Sequence, residues 1–492
     1  MIQNSTECYI GNRSDTETKD VFGIEGADRR KHVYIVGKTG MGKTTLLTNM
    51  ILQDIYNGLG VCFIDPHGDS SEYILDRIPP HRHKDVVYFN PADTEFPVGL
   101  NILEAQRGEE SFLITSSLMA VFNKIWRGAW SSRMEYILSN TLLTLLENKG
   151  STLLGVVRLL TDEKYRKKIV CKVDDPLIKN FWTLEFNKFN DKYRTEAIAP
   201  ILNKVGQFFS NELIRNILGQ IDSTVDFRDI MDSGKILIAN LSKGKLGEEN
   251  SNLLGSLLIS KLEIATMSRV DIPERDRQDF FLYIDEFQNF TTESFAGILS
   301  EARKYRLNLV LAHQYIAQLT ESGSMHVKNA IFGNVGTIIS FRVGADDAKE
   351  ISKEFGAVIT PNQLLSLDRG EIAIKLGTEH KILEPFLGHT LPPLFEQLQG
   401  QTTLVIQSSR ELYSLSRGTV AEQIKRFFES SSSSSNLAPN YENHSISKRN
   451  QAKAAKLGAK MNKNKEVDNF FGNLMELRGP NPTTKKKTLD SD

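Results

Sequence analysis

Gly37-Lys38-Thr39-Gly40-Met41-Gly42-Lys43-Thr44, followed by Thr45, constrains this chain more than any other stretch. It fits the pattern GxxxxGK[ST]. An apolar run, Val33 to Val36, precedes it and an amphipathic stretch, Thr44 to Ile55, follows. A strand that turns through glycines into a helix aims successive backbone N–H groups and a helix N-terminus at one point, which makes a phosphate cradle. Lys43 adds a charge for the β- and γ-phosphates, and the Thr44 hydroxyl is placed to ligate Mg²⁺. Such a unit belongs in an α/β fold, with parallel strands on either side of it.

The remaining strands are legible as short apolar runs. Val61 to Ile64 follows the first helical stretch, and the alternation then stops at about residue 105. From Glu110 to about Ile230 apolar residues recur at helical spacing, as in Ile137, Leu138, Leu142, Leu145 and Leu146. Phe122, Trp126, Trp130, Phe181 and Trp182 fall in the same region. Strand-like runs resume with Ile236–Ala239 and continue through Phe280–Ile284, Leu309–Leu311, Thr337–Phe341 and Ile372–Ile374. The expected organisation is a sheet domain split between residues 1–105 and 231–400, with an all-α domain, 106–230, inserted into it. A short extension, 401–429, follows. Residues 430–492 open with six serines and are polar and lysine-rich, a composition expected to stay disordered. Within them Lys448 to Leu477 has the apolar handle Phe470, Phe471 and Leu474 for a partner-induced helix.

The run Phe280–Ile284 ends in Asp285-Glu286. Asp285 at a strand end can hold Mg²⁺, and Glu286 can polarise the water that attacks a γ-phosphate. An adjacent acidic pair favours hydrolysis over transfer to a small substrate. Gln314 follows another apolar strand, at the end that faces the ligand crevice of an open α/β sheet. There a glutamine senses the γ-phosphate or caps a loop, and local sequence favours neither. His313 beside it reads as structural. Arg303, Lys304 and Arg306 end a helix that begins near Thr292, where cations balance the macrodipole. Asp65-Pro66-His67-Gly68-Asp69 is either a plain turn or an acidic approach to the metal.

Sixty Lys and Arg against sixty-one Asp and Glu exclude a uniformly basic nucleic-acid coat. The sum conceals two parts, because residues 436–492 carry eleven basic against six acidic residues. Three cysteines, Cys8, Cys62 and Cys171, are too scattered for a metal knuckle and too few for a disulfide framework. No secretory signal and no direct membrane span are visible, so a cytoplasmic location is expected.

The motifs IVGKTGMGKTTLL, FIDPHGD, LYIDEFQNF and SEARKYRLNLVLAHQYIAQL, with ILIANLSKG and GNVGTIISFRVGADDA, resemble the TraD/TraG-like coupling ATPases of conjugative type IV secretion. These belong to the HerA–FtsK group of DNA-pumping motors. The resemblance spans about residues 8–390, including the Trp126–Arg133 segment. It implies a RecA-like ATPase domain with an all-α domain at the mouth of a homo-hexameric ring, ATP and Mg²⁺ between subunits, and DNA in the channel, bound largely without regard to sequence. It also implies roles. Gly37, Lys38, Thr39, Gly40, Met41, Gly42, Lys43, Thr44 and Thr45 would hold nucleotide, and Thr44 and Asp285 the metal. Lys43, Glu286 and Gln314 would act in hydrolysis. Arg303 matches the arginine finger, which replaces the macrodipole reading at that residue alone. Arg29 or Arg30 matches a nucleotide-facing arginine more loosely. Relaxase or secretion-channel partners would dock on the tail or the all-α domain. Many coupling proteins begin with membrane helices, and this sequence shows none. That departure leaves open a soluble coupling protein or a cytoplasmic DNA translocase of a mobile element or phage. Two readings stand beside the conjugative motor: a soluble HerA-like helicase in DNA end processing or repair, and a nucleotide-dependent platform that recruits protein cargo.

Overall fold

The computed structural model describes residues 7–14, 20–105, 110–292, 295–321, 325–378, 381–395 and 399–429. The serine run and the Lys448–Leu477 segment lie outside the described residues.

Eleven strands form one sheet: β1 (Cys8–Arg13), β2 (Val21–Ile24), β3 (Val33–Val36), β4 (Gly60–Asp65), β5 (Val86–Phe89), β6 (Ile236–Asn240), β7 (Phe280–Ile284), β8 (Leu307–His313), β9 (Thr337–Ser340), β10 (Glu371–Lys375) and β11 (Phe386–Thr390). Their spatial order is β2-β1-β11-β10-β9-β3-β8-β7-β4-β6-β5. From β9 to β5 every neighbour is parallel, and from β9 back to β2 every pairing is antiparallel. The parallel strands are buried along their whole length. Strands covered on both faces need continuous apolar runs, which is why they were readable.

Alternation along each strand divides the apolar residues between two cores. Val33 and Ile35 face the helix Lys43–Tyr56, together with Val61, Phe63 and Tyr283. Tyr34 and Val36 face the opposite side, in the same core as Trp126, Phe122, Trp182 and the rest of the helical stretch. The helices between Ser111 and Asp232 therefore share one continuous apolar core with a face of the sheet. Six of them start at a side chain that accepts a backbone N–H: Ser131, Asp162, Asp175, Asn190, Asn211 and Asp226. Such caps satisfy donors that a helix start otherwise leaves bare.

The extension after residue 400 fastens these parts together. The helix Thr402–Tyr413 packs on β5, where Ser409 Oγ accepts from Tyr88 N at 2.8 Å. The helix Arg417–Glu429 packs on Glu212–Leu218 of the insertion, and Arg417 pairs with Glu212 at 2.9 Å.

The antiparallel wing departs from the sequence reading. No apolar run singled out in the sequence marks β1, β2 or β11, and at the parallel end of the sheet β5 is likewise unmarked. The helix Lys43–Tyr56 explains β1. Its Gln53 amide donates to Tyr9 O at 2.9 Å and accepts from Tyr9 N at 2.8 Å, pinning the strand edge.

Arg29 and Arg30 do not face the glycine-rich loop. Both precede β3, at the opposite edge of the sheet. Arg29 is fully buried and makes a bidentate pair with Asp54 at 2.6 and 2.7 Å. Tyr283 donates to the same carboxylate at 2.5 Å, and the guanidinium lies 3.8 Å from the centroid of the Phe281 ring. Arg30 pairs with Asp279 at 2.7 Å. Removing one partner of a buried pair strands the other charge at a cost of about 3–5 kcal/mol. Arg29→Met is expected to lower unfolding stability by that amount in urea melts, while nucleotide affinity per folded molecule stays unchanged. A selective loss of nucleotide affinity would return Arg29 to the binding site.

Candidate functional site

Three adjacent parallel strands deliver the site. β8 runs between β3 and β7, with Val36 level with His313 and Ile284 level with Leu311. The residues that follow are Gly37, Gln314 and Asp285-Glu286, so all three emerge at one edge.

The glycine-rich loop is fixed at its start by Gly37 N to His313 O and Lys38 N to Arg342 O at 2.8 Å. A Cβ at Gly37 would lie 2.5 Å from Phe341 Cβ, so the strand end admits no side chain there. Gly42 precedes the helix with φ +117°, a conformation that L side chains rarely adopt. Met41 is buried, and its carbonyl accepts from Gly370 N at 2.9 Å, which seats the loop on the β10 turn. Lys38, Thr39, Gly40 and Thr44 are exposed, and Thr45 is half-buried.

Lys43 folds back under the loop, where Nζ donates to Gly37 O at 2.5 Å and Lys38 O at 3.2 Å. Burial lowers its pKa, against the pull of Glu286 and Asp285. Asp285 is buried at the end of β7 and accepts from Glu286 N at 3.0 Å. Burial, reinforced by Glu286 and Asp65, pushes its pKa up to about 7. Glu286 adopts φ 47°, ψ 48°, a left-handed conformation that costs a non-glycine residue about 1–3 kcal/mol. Two amides hold its carboxylate there: Gln314 Nε2 reaches Oε1 and Gln288 Nε2 reaches Oε2, each at 2.8 Å.

A lysine, an exposed threonine hydroxyl, a buried aspartate and a helix start beneath a glycine loop form a donor set that fits a nucleoside triphosphate with magnesium. Nothing lies within 4 Å of the point a Cβ would take at Gly40, so the loop apex is open to a phosphate.

Other residues singled out in the sequence fall elsewhere. Asp65 ends β4 beside the acidic pair, but its carboxylate is taken by His67 N, Ser71 N and Ser71 Oγ at 2.8–2.9 Å, which is the plain-turn arrangement. His313 is buried and contacts the Tyr34 hydroxyl, and burial lowers its pKa to about 3. Arg303 is exposed in the turn Ala302–Tyr305 that leads into the start of β8. It thus lies a full strand, about 20 Å, from its own chain's loop. No hydrogen bond or ion pair of its side chain occurs among the described residues. Gln288 escaped the sequence reading. Its only signal was an amide two residues beyond the acidic pair, where the 3₁₀ turn Phe287–Asn289 brings it back onto Glu286.

The raised pKa of Asp285 has a signed consequence. The folded chain keeps a proton that the unfolded chain releases above 3.8, so stability falls as pH rises towards about 7 and stays low beyond. In EDTA at pH 8, Asp285→Asn is expected to melt several degrees above the unmodified chain, with the gap closing as pH falls towards 4. Equal melting temperatures across this range would contradict the assignment.

A family model described as the type IV secretion-system coupling protein DNA-binding domain matches residues 22–374. The type 4 coupling protein DotL of Legionella pneumophila is 22% identical, over 62% of this chain and 46% of DotL, so the chain spans less than half the length of that curated relative. The bacterial conjugative coupling protein TrwB, solved without its first 70 residues, superposes with a TM-score of 0.53 at 15% identity, covering 80% of this chain and 94% of that one. TrwB with ADP and Mg²⁺ gives 0.54 at 15% identity, over 80% and 98% of the two chains. VirB4 of Thermoanaerobacter pseudethanolicus gives 0.56 at 12% identity, over 81% and 99%. At these identities the structures establish a shared fold. The family model, spanning the loop, the insertion and the acidic strand together, establishes that this chain belongs to the type IV secretion-system coupling proteins.

Proposed function

We propose that the chain is an ATP-hydrolysing motor that moves DNA towards a type IV secretion channel as a ring of like subunits. The observation that carries this reading is Glu286, held by Gln314 and Gln288 at the same sheet edge as Lys43 and Asp285. A carboxylate held away from backbone comfort by two amides is suited to orienting a water, and it has no evident structural purpose.

Lys43 would leave the loop carbonyls for the β- and γ-phosphates. Thr44 and Asp285 would hold Mg²⁺, which supplies charge neutralisation at the phosphates when bound. Glu286 would take the proton of the attacking water, and Gln314, on the same carboxylate, would register the γ-phosphate. Arg303 is out of reach of its own chain's site, so it would serve a neighbour's, which favours the ring. DNA would be gripped chiefly through its phosphates, consistent with a family defined by a DNA-binding domain. Protein partners, a relaxase or channel components, would meet the insertion or residues 430–492. Among the described residues no helix is long and apolar enough to cross a membrane, which suits work at the cytoplasmic face through such partners.

Glu286→Gln is expected to lower ATP turnover by roughly 10²–10⁴-fold while nucleotide binding survives. In the unmodified chain, single- or double-stranded DNA should raise turnover, and equal rates with and without DNA would overturn the translocation reading. A mixing experiment tests the shared site. Glu286→Gln and Arg303→Ala subunits, each inactive alone, should regain turnover when combined, because some interfaces then hold both residues. No recovery would place Arg303 outside the chemistry.

A further inference from the structure

Lys124 stands in the last turn of the helix Ser111–Ile125, on the insertion. That helix packs against Glu248–Met267, the long helix that leads towards β7. The Lys124 ammonium reaches across and donates to Asn289 O at 2.6 Å. No carboxylate among the described residues pairs with it, and burial pushes its pKa down to about 7. Lys124 is half-buried, and its one side-chain hydrogen bond among the described residues is made to a backbone carbonyl of another part of the chain.

The place of attachment matters. Asn289 closes the turn Phe287–Asn289, which begins at Glu286 and carries Gln288, one of the two amides on its carboxylate. The next residue is clamped from the motor's own side. Ser256 Oγ donates to Phe290 O at 3.0 Å, and a Cβ on Gly255 would fall 2.3 Å from the Phe290 ring. The turn that sets Glu286 is thus held at two successive carbonyls, one by the sheet domain's long helix and one by the insertion. Through Lys124, movement of the helix Ser111–Ile125 would act on Asn289 O, three residues from Glu286.

We propose that Lys124 is a positioning residue through which the state of the helical insertion sets the placement of Glu286. The inference rests on the hydrolysis reading above, and its coupling to DNA rests on the translocation reading. Engagement of the insertion by DNA would tighten or release this grip, so turnover would follow occupancy of the channel mouth.

Steady-state ATP turnover of the full chain, with and without DNA, separates the possibilities. Lys124→Met is expected to leave KM and melting temperature close to those of the unmodified chain and to cut DNA-stimulated kcat roughly tenfold, the scale of one charge-assisted hydrogen bond. Lys124→Arg, which keeps a charged donor, should restore most of the loss. Ser256→Ala should lower basal and stimulated rates alike and leave their ratio unchanged. If Lys124→Met does not fold, Lys124→Gln, a neutral donor, takes its place. An unchanged stimulated kcat, or a fall that tracks only the folded fraction, would overturn the proposal. If DNA fails to stimulate the unmodified chain, the translocation reading falls by itself. Lys124 is then judged on basal kcat, where a fall at constant KM supports its role and an unchanged value ends it.

Discussion

The site depends on one constraint of direction: β3, β8 and β7 are neighbours and all run the same way. Parallel strands expose their C-terminal ends together, so a loop after one, an amide after the second and two acids after the third meet without long connections. Placing β8 between the other two is what brings Gln314 within 2.8 Å of Glu286. An antiparallel strand in that position would send its glutamine to the far edge, where Arg303 lies.

The frame behind these strands is polar as well as apolar. Asn49, Gln53 and Asp54 are buried on the helix that starts at Lys43, and each finds a partner. Asn49 accepts from Leu394 N at 2.9 Å, Gln53 holds Tyr9, and Asp54 holds Arg29 and Tyr283. Through them one helix is tied to the antiparallel wing and to the strand that carries the acidic pair. Side-chain amides and a bidentate ion pair impose geometry that apolar packing alone leaves loose.

What the sequence disclosed follows from burial. β3, β4, β7 and β8 are enclosed on both faces, so they had to be apolar throughout, and their chemistry stands directly after them. β1, β2 and β11 belong to a wing with short, mixed strands whose pairing depends on a helix amide, and no local pattern announces that. Lys43, Thr44, Asp285 and Glu286 could be singled out because they stand directly after apolar strand runs, in a glycine-rich loop and an acidic pair, and the structure brings them to one sheet edge. Gln288 and Lys124 could not, since their meaning comes from a left-handed turn at Glu286 and from packing between distant segments. Arg29 shows the converse error, a cation beside the right strand but at its wrong end.

The strand order also bears on how the chain comes into being. β3 has β8 and β9 for neighbours, β4 has β6 and β7, and β5 has β6. None of these three early strands pairs with another, so among the described residues β1 with β2 is the only ladder available before the insertion is made. Roughly 270 residues separate β3 from β8, the first of its two partners to be made, which at about 5–20 residues per second leaves the strand unpaired on the ribosome for roughly 15–55 s. Val33 to Val36 then waits as a bare apolar edge. The strand that leads into the glycine-rich loop is among the first to be synthesised and among the last to acquire both its neighbours.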